Sequence, residues 1–407
     1  MQKKVIVVGG GPAGMMACAK AAERADKVIL IEKNPFLGKK LRITGKGRCN
    51  ITNSAPIEDF FENVPTNGKF LYSAFYSFTN EDTVKMFERL GVPTKTERGA
   101  RVFPVSDSAK DVAEAMKKNA LKPNVQMIKA EVKSLIINNG RAEGVKTAKG
   151  EIMADSVILA TGGKSYPLTG SDGSGYRLAE QAGHTIIEPK PSLIPIVTEE
   201  KWPADVMGLS LKNVELKVYD GKNKEIYSDF GEMLFTHFGI SGPIVLSASA
   251  HMRNMKKERY SVSIDLKPAL DMVQLDKRIC RDFEKYSRKQ LINALDELLP
   301  KALIPIVIDL SGIERERAVN SITKEERRGL AEVLKGLKLT VKEFRPIDEA
   351  IITSGGVKTS EINPSTMESK LTEGLFFAGE MIDVDAYTGG FNLQIAFSTG
   401  FLAGENA

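Results

Sequence analysis

A glycine-rich turn near the amino terminus constrains the fold of this chain more than any other feature. Residues 5–8 are β-branched and apolar, which is typical of a short buried strand. Residues 9–14 follow with the pattern GxGxxG, and a helix is predicted to begin at Pro12. Residues 28–31 form the next predicted strand, which ends at Glu32. A strand, a glycine turn, a helix and a second strand predict a Rossmann-like unit and therefore an α/β fold.

The residues of this turn predict a dinucleotide site. Gly9 permits the tight turn, Gly11 lets the backbone approach a pyrophosphate, and Gly14 lets the helix pack against the strand. Pro12 and Ala13 begin the helix, and the free N–H groups and positive end of a helix favour a diphosphate.

Glu32 is predicted to bind the adenosine half of such a dinucleotide. It comes 18 residues after Gly14, where a carboxylate can accept hydrogen bonds from both ribose hydroxyls and disfavours a 2′-phosphate. The alternative is a structural glycine turn with a surface glutamate. This motif alone is compatible with either FAD or NAD.

Two later segments favour FAD. Ala160, Thr161 and Gly162 end an apolar strand and resemble the turn that flavoproteins place near the adenine half of FAD. Gly379 and Glu380 resemble a late flavoprotein motif whose carboxylate holds the ribityl chain, although aspartate is commoner at the position of Glu380.

A third segment, residues 388–394, opens an apolar helix. Backbone N–H groups at a helix start can bond the pyrimidine ring of a flavin and stabilise negative charge on the reduced flavin. The cofactor contacts predicted in this segment are Gly389, Gly390, Phe391, Asn392 and Leu393.

The segment between Glu32 and Glu58 is basic. It contains no acidic residue, and glycines are interleaved with its lysines and arginines. We predict an anion-binding loop here, with an ordinary solvated face as the alternative. The predicted cofactor contacts are Lys33, Lys40, Gly45, Gly47, Arg48, Cys49 and Asn50.

Cys49 and His237 are the candidate catalytic residues. Lys46 and Arg48 are expected to lower the pKa of the Cys49 thiol, which then serves as a general acid or a flavin contact. The alternative is a small residue that packs beneath the flavin. His237 precedes a predicted helix with Ser241 as its cap, where it binds substrate or delivers a proton, or is simply held by loop backbone.

Other polar side chains are weaker candidates. Tyr387 precedes the predicted flavin turn and could face a substrate. Arg98 and Arg101 could bind a substrate anion, although an ordinary exposed position is the favoured alternative for both. His184 is expected to be a structural or surface residue.

The composition excludes several classes of protein. With 42% apolar residues in a chain of 407, a mainly disordered protein is excluded. Three cysteines without a CxxC pair exclude a disulfide scaffold and argue against a disulfide reductase, and three histidines predict no metal site. No apolar run reaches the roughly 20 residues of a membrane span. We therefore expect a cytoplasmic protein without a membrane partner.

The motifs also predict the domain organisation. Because they occur only at the two ends of the chain, we expect a discontinuous FAD domain, residues 1–192 and 341–407, with residues 193–340 as an inserted domain of strands and helices. A second strand–GxGxxG–helix unit is lacking, so NADH or NADPH is expected as a transient electron donor. The active site is expected where the flavin ring meets the insert.

The charge distribution leaves the substrate open. The net charge of +5 permits an anionic ligand but does not require one. Basic clusters at residues 253–259, 277–289 and 324–328 of the insert fit contacts to RNA, and they also fit solvated helix faces.

The complete set of motifs resembles the bacterial HI0933-like family, also called the YhiN or BaiN family, among the two-dinucleotide-binding-domain flavoproteins. The resemblance runs through residues 9–14, 45–53, 101–104, 236–243, 353–357 and 374–394. It implies bound FAD, a discontinuous FAD domain and an insert domain.

The family has been linked to reduction of a steroid enone and to dihydrouridine formation in ribosomal RNA. Both reactions reduce a polarised C=C bond, with hydride from flavin N5 to one carbon and a proton to the other. The resemblance therefore implies an FAD-dependent reductase that acts on ribosomal RNA or on a small enone. The alternative is a non-enzymatic flavin-binding redox module.

Overall fold

The computed structural model describes residues 2–252, 255 and 259–407. Within them, the strands are β1 Lys4–Val8, β2 Lys27–Glu32, β3 Thr52–Asn53, β4 Thr94–Glu97, β5 Arg101–Pro104, β6 Val125–Lys129, β7 Val132–Asn138, β8 Arg141–Thr147, β9 Gly150–Met153, β10 Ser156–Leu159, β11 Ile186–Ser192, β12 Ile196–Thr198, β13 Ser210–Tyr219, β14 Glu225–Thr236, β15 Gly239–Ser241, β16 Ser261–Asp265, β17 Leu337–Phe344, β18 Ile352–Val357 and β19 Leu375–Phe377. The α-helices are α1 Pro12–Ala21, α2 Asp59–Glu62, α3 Tyr72–Ser77, α4 Asn80–Arg89, α5 Ala109–Ala120, α6 Ser174–Gln181, α7 Pro243–Ser249, α8 Met272–Lys285, α9 Ile304–Ser311, α10 Lys324–Lys335 and α11 Phe391–Asn406.

The chain forms two compact units. The first comprises Met1–Ser192 and Pro346–Ala407, and the second comprises Leu193–Arg345. The sequence predicts that the chain re-enters the first unit at residue 341. The structure places it at Pro346, because β17 is a strand of the second unit and pairs there with β16 and β12.

A five-stranded sheet with the order β19-β10-β1-β2-β6 forms the centre of the first unit. All its neighbours run parallel. Val5, Ile6 and Val7 of the central strand are fully buried, which explains their continuous apolar run. The predicted Rossmann-like α/β fold is confirmed, and α1 begins at Pro12 as predicted and ends at Ala21.

Helices α1 and α11 pack closely and run in the same direction. A Cβ on Gly400 would lie 2.4 Å from the carbonyl oxygen of Ala13, and one on Gly404 would lie 2.3 Å from that of Ala17. Glycine at both positions therefore lets the two backbones touch, four residues apart on each helix.

Three small sheets complete the first unit: β3-β5-β4, β7-β8-β9 and β11-β18. The predicted hairpin turn joins β7 to β8, with Asn139 and Gly140 at positive φ values of 49° and 76°. A strand is also predicted over residues 125–131, and the structure has it as β6, which joins the central sheet beside β2. The third strand of the β7-β8 sheet is β9.

The second unit is a closed barrel with the strand order β12-β15-β14-β13-β16-β17, accompanied by helices α7 to α10. Leu216, Phe235 and Ile264 of the barrel share one core with Leu275 of α8 and Leu330 of α10. The predicted mixture of strands and helices is confirmed. The sequence also predicts that residues 241–256 are largely helical, whereas among the described ones only Pro243–Ser249 form a helix.

No helix in the described part of the chain is both long and apolar enough to span a bilayer.

Candidate functional site

Four strand ends of the central sheet bring most of the predicted cofactor residues together. The four strands are parallel and in register, so their carboxyl ends meet at one edge of the sheet. Open α/β sheets bind ligands outside this edge. The residues found there are Gly9 after β1, Glu32 at the end of β2, Ala160 after β10 and Gly379 after β19.

The three motif glycines of the first turn differ in their surroundings. A Cβ on Gly9 would lie 2.4 Å from the carbonyl oxygen of Ala160, and one on Gly14 would lie 1.9 Å from that of Gly9. A Cβ on Gly11 would meet no atom within 4 Å. Gly9 and Gly14 therefore serve packing, whereas Gly11 faces open space.

The start of α1 has the properties of an anion site. Gly11 is its N-cap and provides no side-chain cap, Pro12 follows, and the first turn contains no acidic residue. Uncapped N–H groups and the positive helix end favour a negative ligand there. The open space before Gly11 fits the diphosphate of a dinucleotide.

Glu32 is anchored beside this helix start. One carboxylate oxygen accepts hydrogen bonds from the backbone N–H and side-chain amide of Asn34, at 2.7 and 2.8 Å. The other accepts from the backbone N–H of Gly10 at 2.6 Å. A carboxylate has about four lone-pair sites, so one acceptor site remains for a ribose hydroxyl.

Glu380 lies in a four-residue polar cluster. Its carboxylate forms an ion pair with Lys40 at 2.8 Å and accepts hydrogen bonds from the Ser165 hydroxyl and the Thr353 N–H, both at 2.9 Å. A Cβ on Gly163 would lie 3.0 Å from a Glu380 oxygen. Glu380 is therefore neutralised within the protein, and the predicted residues Lys40 and Glu380 belong to one group.

Lys33 forms an ion pair with Asp172, which lies just before α6. Its ammonium lies 2.8 Å from the carboxylate of Asp172 and within 3.4 Å of the Ser174 hydroxyl. Burial alone would raise the pKa of Asp172, but the hydrogen bonds from Lys33 and Ser174 lower it to about 2. The predicted cofactor contact Lys33 is thus committed to an ion pair.

The turn after β10 packs tightly against residues 171–175. A Cβ on Gly162 would lie 2.8 Å from the Ser171 hydroxyl, and one on Gly175 would lie 1.8 Å from that of Thr161. The side chain of Thr161 therefore points toward α6. The contribution of Thr161 and Gly162 to a cofactor site would come from their backbone.

The basic loop at residues 44–50 has an unusual backbone. Gly45, Lys46, Gly47 and Cys49 all have positive φ, and two of these are not glycine. Such conformations cost energy and persist where the surrounding structure holds them. The Asn50 side chain holds this loop by donating to the carbonyls of Thr52 at 2.8 Å and of Val102 at 3.1 Å.

The predicted cofactor contact Arg48 forms ion pairs within the protein. Its guanidinium pairs with Glu97 at 2.5 Å and with Asp107 at 2.7 Å, and it lies 4.3 Å from the centre of the Phe103 ring. The positive charge of Arg48 is thus neutralised by two carboxylates.

The expectation for the Cys49 thiol is wrong. Cys49 is fully buried, and burial raises the pKa of its thiol to about 12, with the hydrogen bond to Thr44 opposing this. Lys46 is exposed and Arg48 is neutralised, so neither outweighs burial. Cys49 is a neutral thiol at physiological pH.

The start of α11 packs on this loop region. A Cβ on Gly390 would lie 2.3 Å from the backbone of Thr52, and the Asn53 amide donates to the Gly389 carbonyl at 3.0 Å. Gly390 is the N-cap, without a side-chain cap or an acidic residue in the first turn. Residues 44–53 and the helix start therefore form one packed group around a second potential anion site.

The side chains of the predicted contacts Phe391, Asn392 and Leu393 are engaged within the protein. The ring of Phe391 lies 4.9 Å from that of Phe60, and Leu393 packs against the core. The Asn392 amide bonds to the backbone of Ala386 and Tyr387. A ligand at this helix start would meet backbone N–H groups.

The two helix starts are related by the packing of α1 on α11. Gly400 lies opposite Ala13, so α11 continues nine residues back to Phe391 while α1 continues one residue back to Pro12. The start of α11 therefore lies about 12 Å beyond the start of α1 toward the N-terminal end of the pair, at the rise of an α-helix. Two positive helix ends thus point the same way with an offset that suits an extended dinucleotide.

His237 lies in the second unit, in the turn between β14 and β15. It is exposed, and its ring centre lies 4.9 Å from that of Phe238. The predicted cap is wrong, because Gly242 and not Ser241 is the N-cap of α7, at a φ of 100°. The catalytic role of His237 stays a prediction.

Some of the described cations in the basic clusters of the second unit form ion pairs. Arg253, Lys256 and Lys257 lie outside the described residues. The pairs found elsewhere are Arg259–Glu199, Arg278–Asp282, Arg327–Asp276, Arg328–Glu332 and Lys285–Glu297. This pattern favours solvated helix faces for these clusters.

Sequence reasoning missed several residues of the site. Ser165 and Thr353 bind Glu380, Asn34 binds Glu32, and Asn53 links β3 to Gly389. Only residues 353–357 gave a signal, as part of the family resemblance. Residues 2–252, 255 and 259–407 contain no group of three or more His, Cys, Asp or Glu side chains placed to hold a metal ion.

Comparison with known proteins agrees with this geometry. The family model described as "HI0933-like protein Rossmann domain" matches residues 3–406. The chain is 32% identical to a 3-dehydro-bile acid delta(4,6)-reductase of Clostridium scindens, over 99% of this chain and 98% of that protein. It is 30% identical to a ribosomal RNA dihydrouridine synthase of Haemophilus influenzae, over 97% and 96% of the two chains.

A solved structure shares the fold. The 3-ketosteroid delta1-dehydrogenase from Sterolibacterium denitrificans, in complex with 1,4-androstadiene-3,17-dione, superimposes with a TM-score of 0.50 at 12% identity, over 98% of both chains. A nearly full-length family match and two full-length relatives thus accompany a sheet edge built for a dinucleotide, and the chain belongs to the HI0933-like family of FAD-type oxidoreductases.

Proposed function

We propose that this protein binds FAD non-covalently in its first unit and reduces a C=C bond that is polarised by a carbonyl group. The observation that carries the proposal is the pair of uncapped helix starts at Gly11 and Gly390, which point in one direction with an offset. The first suits the diphosphate and the second suits the pyrimidine edge of the flavin. The first unit is then the FAD domain and the second unit the substrate domain.

The residues of the chain have definite tasks in this proposal. Glu32 would hold the adenosine ribose, and the Lys40–Glu380 pair would face the ribityl chain. Bound FAD supplies the hydride. The start of α11 would stabilise negative charge near the pyrimidine ring, and the neutral thiol of Cys49, within the loop of residues 44–50, would hold a proton.

Uridine in ribosomal RNA is our first candidate substrate. One full-length relative is named a ribosomal RNA dihydrouridine synthase, and the net charge of +5 is compatible with an RNA partner. Uracil contains a C=C bond conjugated to a carbonyl, which is the chemistry that the proposed site handles.

A small enone-type metabolite is the second candidate. One relative is named a bile acid reductase, at 32% identity. The ion pairs formed by Arg259, Arg278, Arg327 and Arg328 in the basic clusters of the second unit favour this candidate, because they leave fewer cations for phosphate contacts.

We further propose NADH or NADPH as a transient electron donor. The chain has one Rossmann turn, and this turn is assigned to FAD, so the donor would visit the flavin without a domain of its own. The three free cysteines suit work in a reducing cytoplasm.

Anaerobic kinetics test the proposal. The purified protein should be yellow and should release FAD on acid treatment, and NADH or NADPH should bleach it. Reoxidation is then followed with undermodified ribosomal RNA and with a conjugated enone. Turnover of either substrate supports the proposal, whereas release of FMN or NAD would refute it. A flavin that is reduced by the donor but oxidised by neither substrate would indicate a redox module.

A further inference from the structure

The guanidinium groups of Arg48 and Arg101 both lie near the Phe103 ring, but they differ in how far neighbouring carboxylates balance their positive charge. The centre of the Arg48 group lies 4.3 Å from the ring centre and that of Arg101 lies 6.0 Å away. Arg48 is neutralised by Glu97 and Asp107. Arg101, in contrast, has no carboxylate within ion-pair distance among the residues that the structure describes.

The other contacts of Arg101 leave its outer edge available. Its Nε donates a hydrogen bond to the carbonyl of Arg98 at 2.9 Å, and the side chain is only half-buried. The two terminal nitrogens of Arg101 have no hydrogen bond to a described residue. A guanidinium presents these nitrogens as a planar fork that matches carboxylate and phosphate oxygens.

The pairing of β5 with β3 brings Arg101 close to the turn that begins α11, where we propose that the flavin binds. Arg101 of β5 pairs with Asn53 of β3. The Asn53 amide donates both to the carbonyl of Gly99 at 3.1 Å and to the carbonyl of Gly389 at 3.0 Å. One residue therefore connects the turn that carries Arg101 with the turn that begins α11.

The turn before Arg101 has an energetically unfavourable backbone conformation. Gly99 and Ala100 both have positive φ, at 75° and 56°. The N–H of Ser54 donates to the Ala100 carbonyl at 2.7 Å, which helps to hold the alanine in the left-handed region. Backbone strain of this kind is common at functional sites and fixes the direction in which Arg101 leaves the strand.

We propose that Arg101 binds an anionic oxygen group of the substrate, either a phosphate or a carboxylate. This inference rests on the proposed function, and both candidate substrates contain such a group: RNA has phosphates, and bile acids have a carboxylate. Arg101 therefore anchors the substrate beside the flavin turn and is a binding residue rather than a proton donor.

The experiment compares Arg101→Gln and Arg101→Lys with the matched control Lys95→Gln in the FAD-loaded protein. Lys95 lies opposite Phe103 on the neighbouring strand, but its charge is already paired with Asp107 at 2.7 Å. Calorimetry measures binding of two non-reducible probes, a saturated bile acid and a short oligoribonucleotide that contains dihydrouridine in place of uridine.

We expect Arg101→Gln to weaken one probe by about tenfold or more. Arg101→Lys should recover part of this loss and Lys95→Gln should change binding less than about twofold. Weakening of the bile acid, absent for its methyl ester, identifies a carboxylate contact. Weakening of the oligonucleotide with a salt slope reduced by about 1 identifies a phosphate contact.

Equal binding of both probes by Arg101→Gln and the unchanged protein would overturn the inference, as would failure of the unchanged protein to bind either probe. Binding does not require turnover. If Arg101 governs binding but no C=C bond is reduced, the proposed function fails while the anion contact stands. If Arg101→Gln reduces the substrates as well as the unchanged protein does, the proposed function stands and the anion contact at Arg101 fails.

Discussion

The ammonium group of Lys40 lies 2.8 Å from a carboxylate oxygen of Glu380, although 340 residues separate them along the chain. The pair joins the basic segment after β2 to the segment that follows β19. Both side chains are about one-fifth exposed, at 20% and 21%, so water screens the pair only in part. Lys40 and Glu380 therefore contribute both to the fold of the first unit and to the charge beside the predicted ribityl position.

This ion pair should be measurable by a double-mutant cycle. We expect Lys40→Met and Glu380→Gln each to lower the free energy of unfolding, and the double variant to lose less than the sum of the two. The expected coupling is about 1 kcal/mol, because the pair is partly buried. Urea unfolding of the apoprotein measures it. Strict additivity would contradict the contact.

Gly11 should be required for FAD and dispensable for folding. Its φ of −76° suits any residue, and a Cβ there meets no atom within 4 Å. Gly11→Leu should keep the melting temperature of the apoprotein while FAD is lost on purification, because the side chain fills the diphosphate space. Gly14→Ala is the contrasting control, since its Cβ would clash with Gly9 and lower the stability itself. Full FAD content in Gly11→Leu would refute the assignment.

Burial should make Cys49 unreactive. With its pKa raised to about 12, as for Cys18, it should resist iodoacetamide at about pH 8, where the half-buried Cys280 should react. Mass spectrometry should find one labelled thiol in the folded protein and three after unfolding.

The same shift affects stability at alkaline pH. Between its ordinary value of 9.0 and about 12, the unfolded chain loses the Cys49 proton while the folded protein keeps it. Stability contributed by the protonated thiol is therefore complete below pH 9 and is lost as the pH rises toward 12. Cys49→Ala should show a smaller loss of unfolding free energy over this window.

The catalytic roles predicted for Cys49 and His237 concern proton transfer and not cofactor binding. We expect Cys49→Ala and His237→Ala to retain FAD and to be reduced by NAD(P)H at the normal rate. Substrate-driven reoxidation should slow by about 100-fold or more in whichever variant lacks the proton donor. Stopped-flow absorbance of the flavin measures both steps, with Cys280→Ala as the control. Normal reoxidation in both variants would assign packing roles to the two residues.

His184 should make the protein sensitive to acid. It is buried, its Nε2 lies 2.7 Å from the Ser369 hydroxyl, and its ring lies 4.7 Å from that of Phe377. Burial lowers the pKa of His184 below 6.5, and the nearby Glu361 opposes this only in part. As the pH falls, His184 is protonated in the unfolded chain before it is protonated in the folded protein. The free energy of unfolding that this difference contributes is therefore present above pH 6.5 and is lost as the pH falls.

Urea unfolding from about pH 7.5 to about pH 5 tests this dependence. The unchanged protein should lose more unfolding free energy over this range than His184→Gln. Parallel pH profiles for the two proteins would contradict the assignment of His184 as a buried neutral group.

Local sequence patterns were sufficient for the elements nearest the amino terminus. The apolar run of β1, the turn at residues 9–14 and the hairpin at Asn139 and Gly140 each depend on neighbouring residues, so periodicity and glycine placement predict them. Glu32 was also predictable, because its place is set by the length of one strand–helix–strand unit.

Other features depended on partners distant in the chain. The barrel closes because β12 pairs with both β15 and β17, and β17 lies about 140 residues after β12, a separation over which local propensity carries no information on register. For the same reason the sequence predicts a strand at β6 but does not indicate that this strand pairs with β2.

The sequence by itself determined the class of this protein: a glycine turn between an apolar strand and a helix, an acid at the next strand end and late glycine motifs specify a Rossmann-like flavoprotein. The tertiary structure decided the electrostatics. It buried Cys49, neutralised Arg48 with Glu97 and Asp107, and placed no carboxylate of the described residues within ion-pair distance of Arg101. The physical reason is that a pKa and the balance of a charge depend on burial and on neighbours in space, whereas a strand or a turn depends mainly on neighbours in sequence.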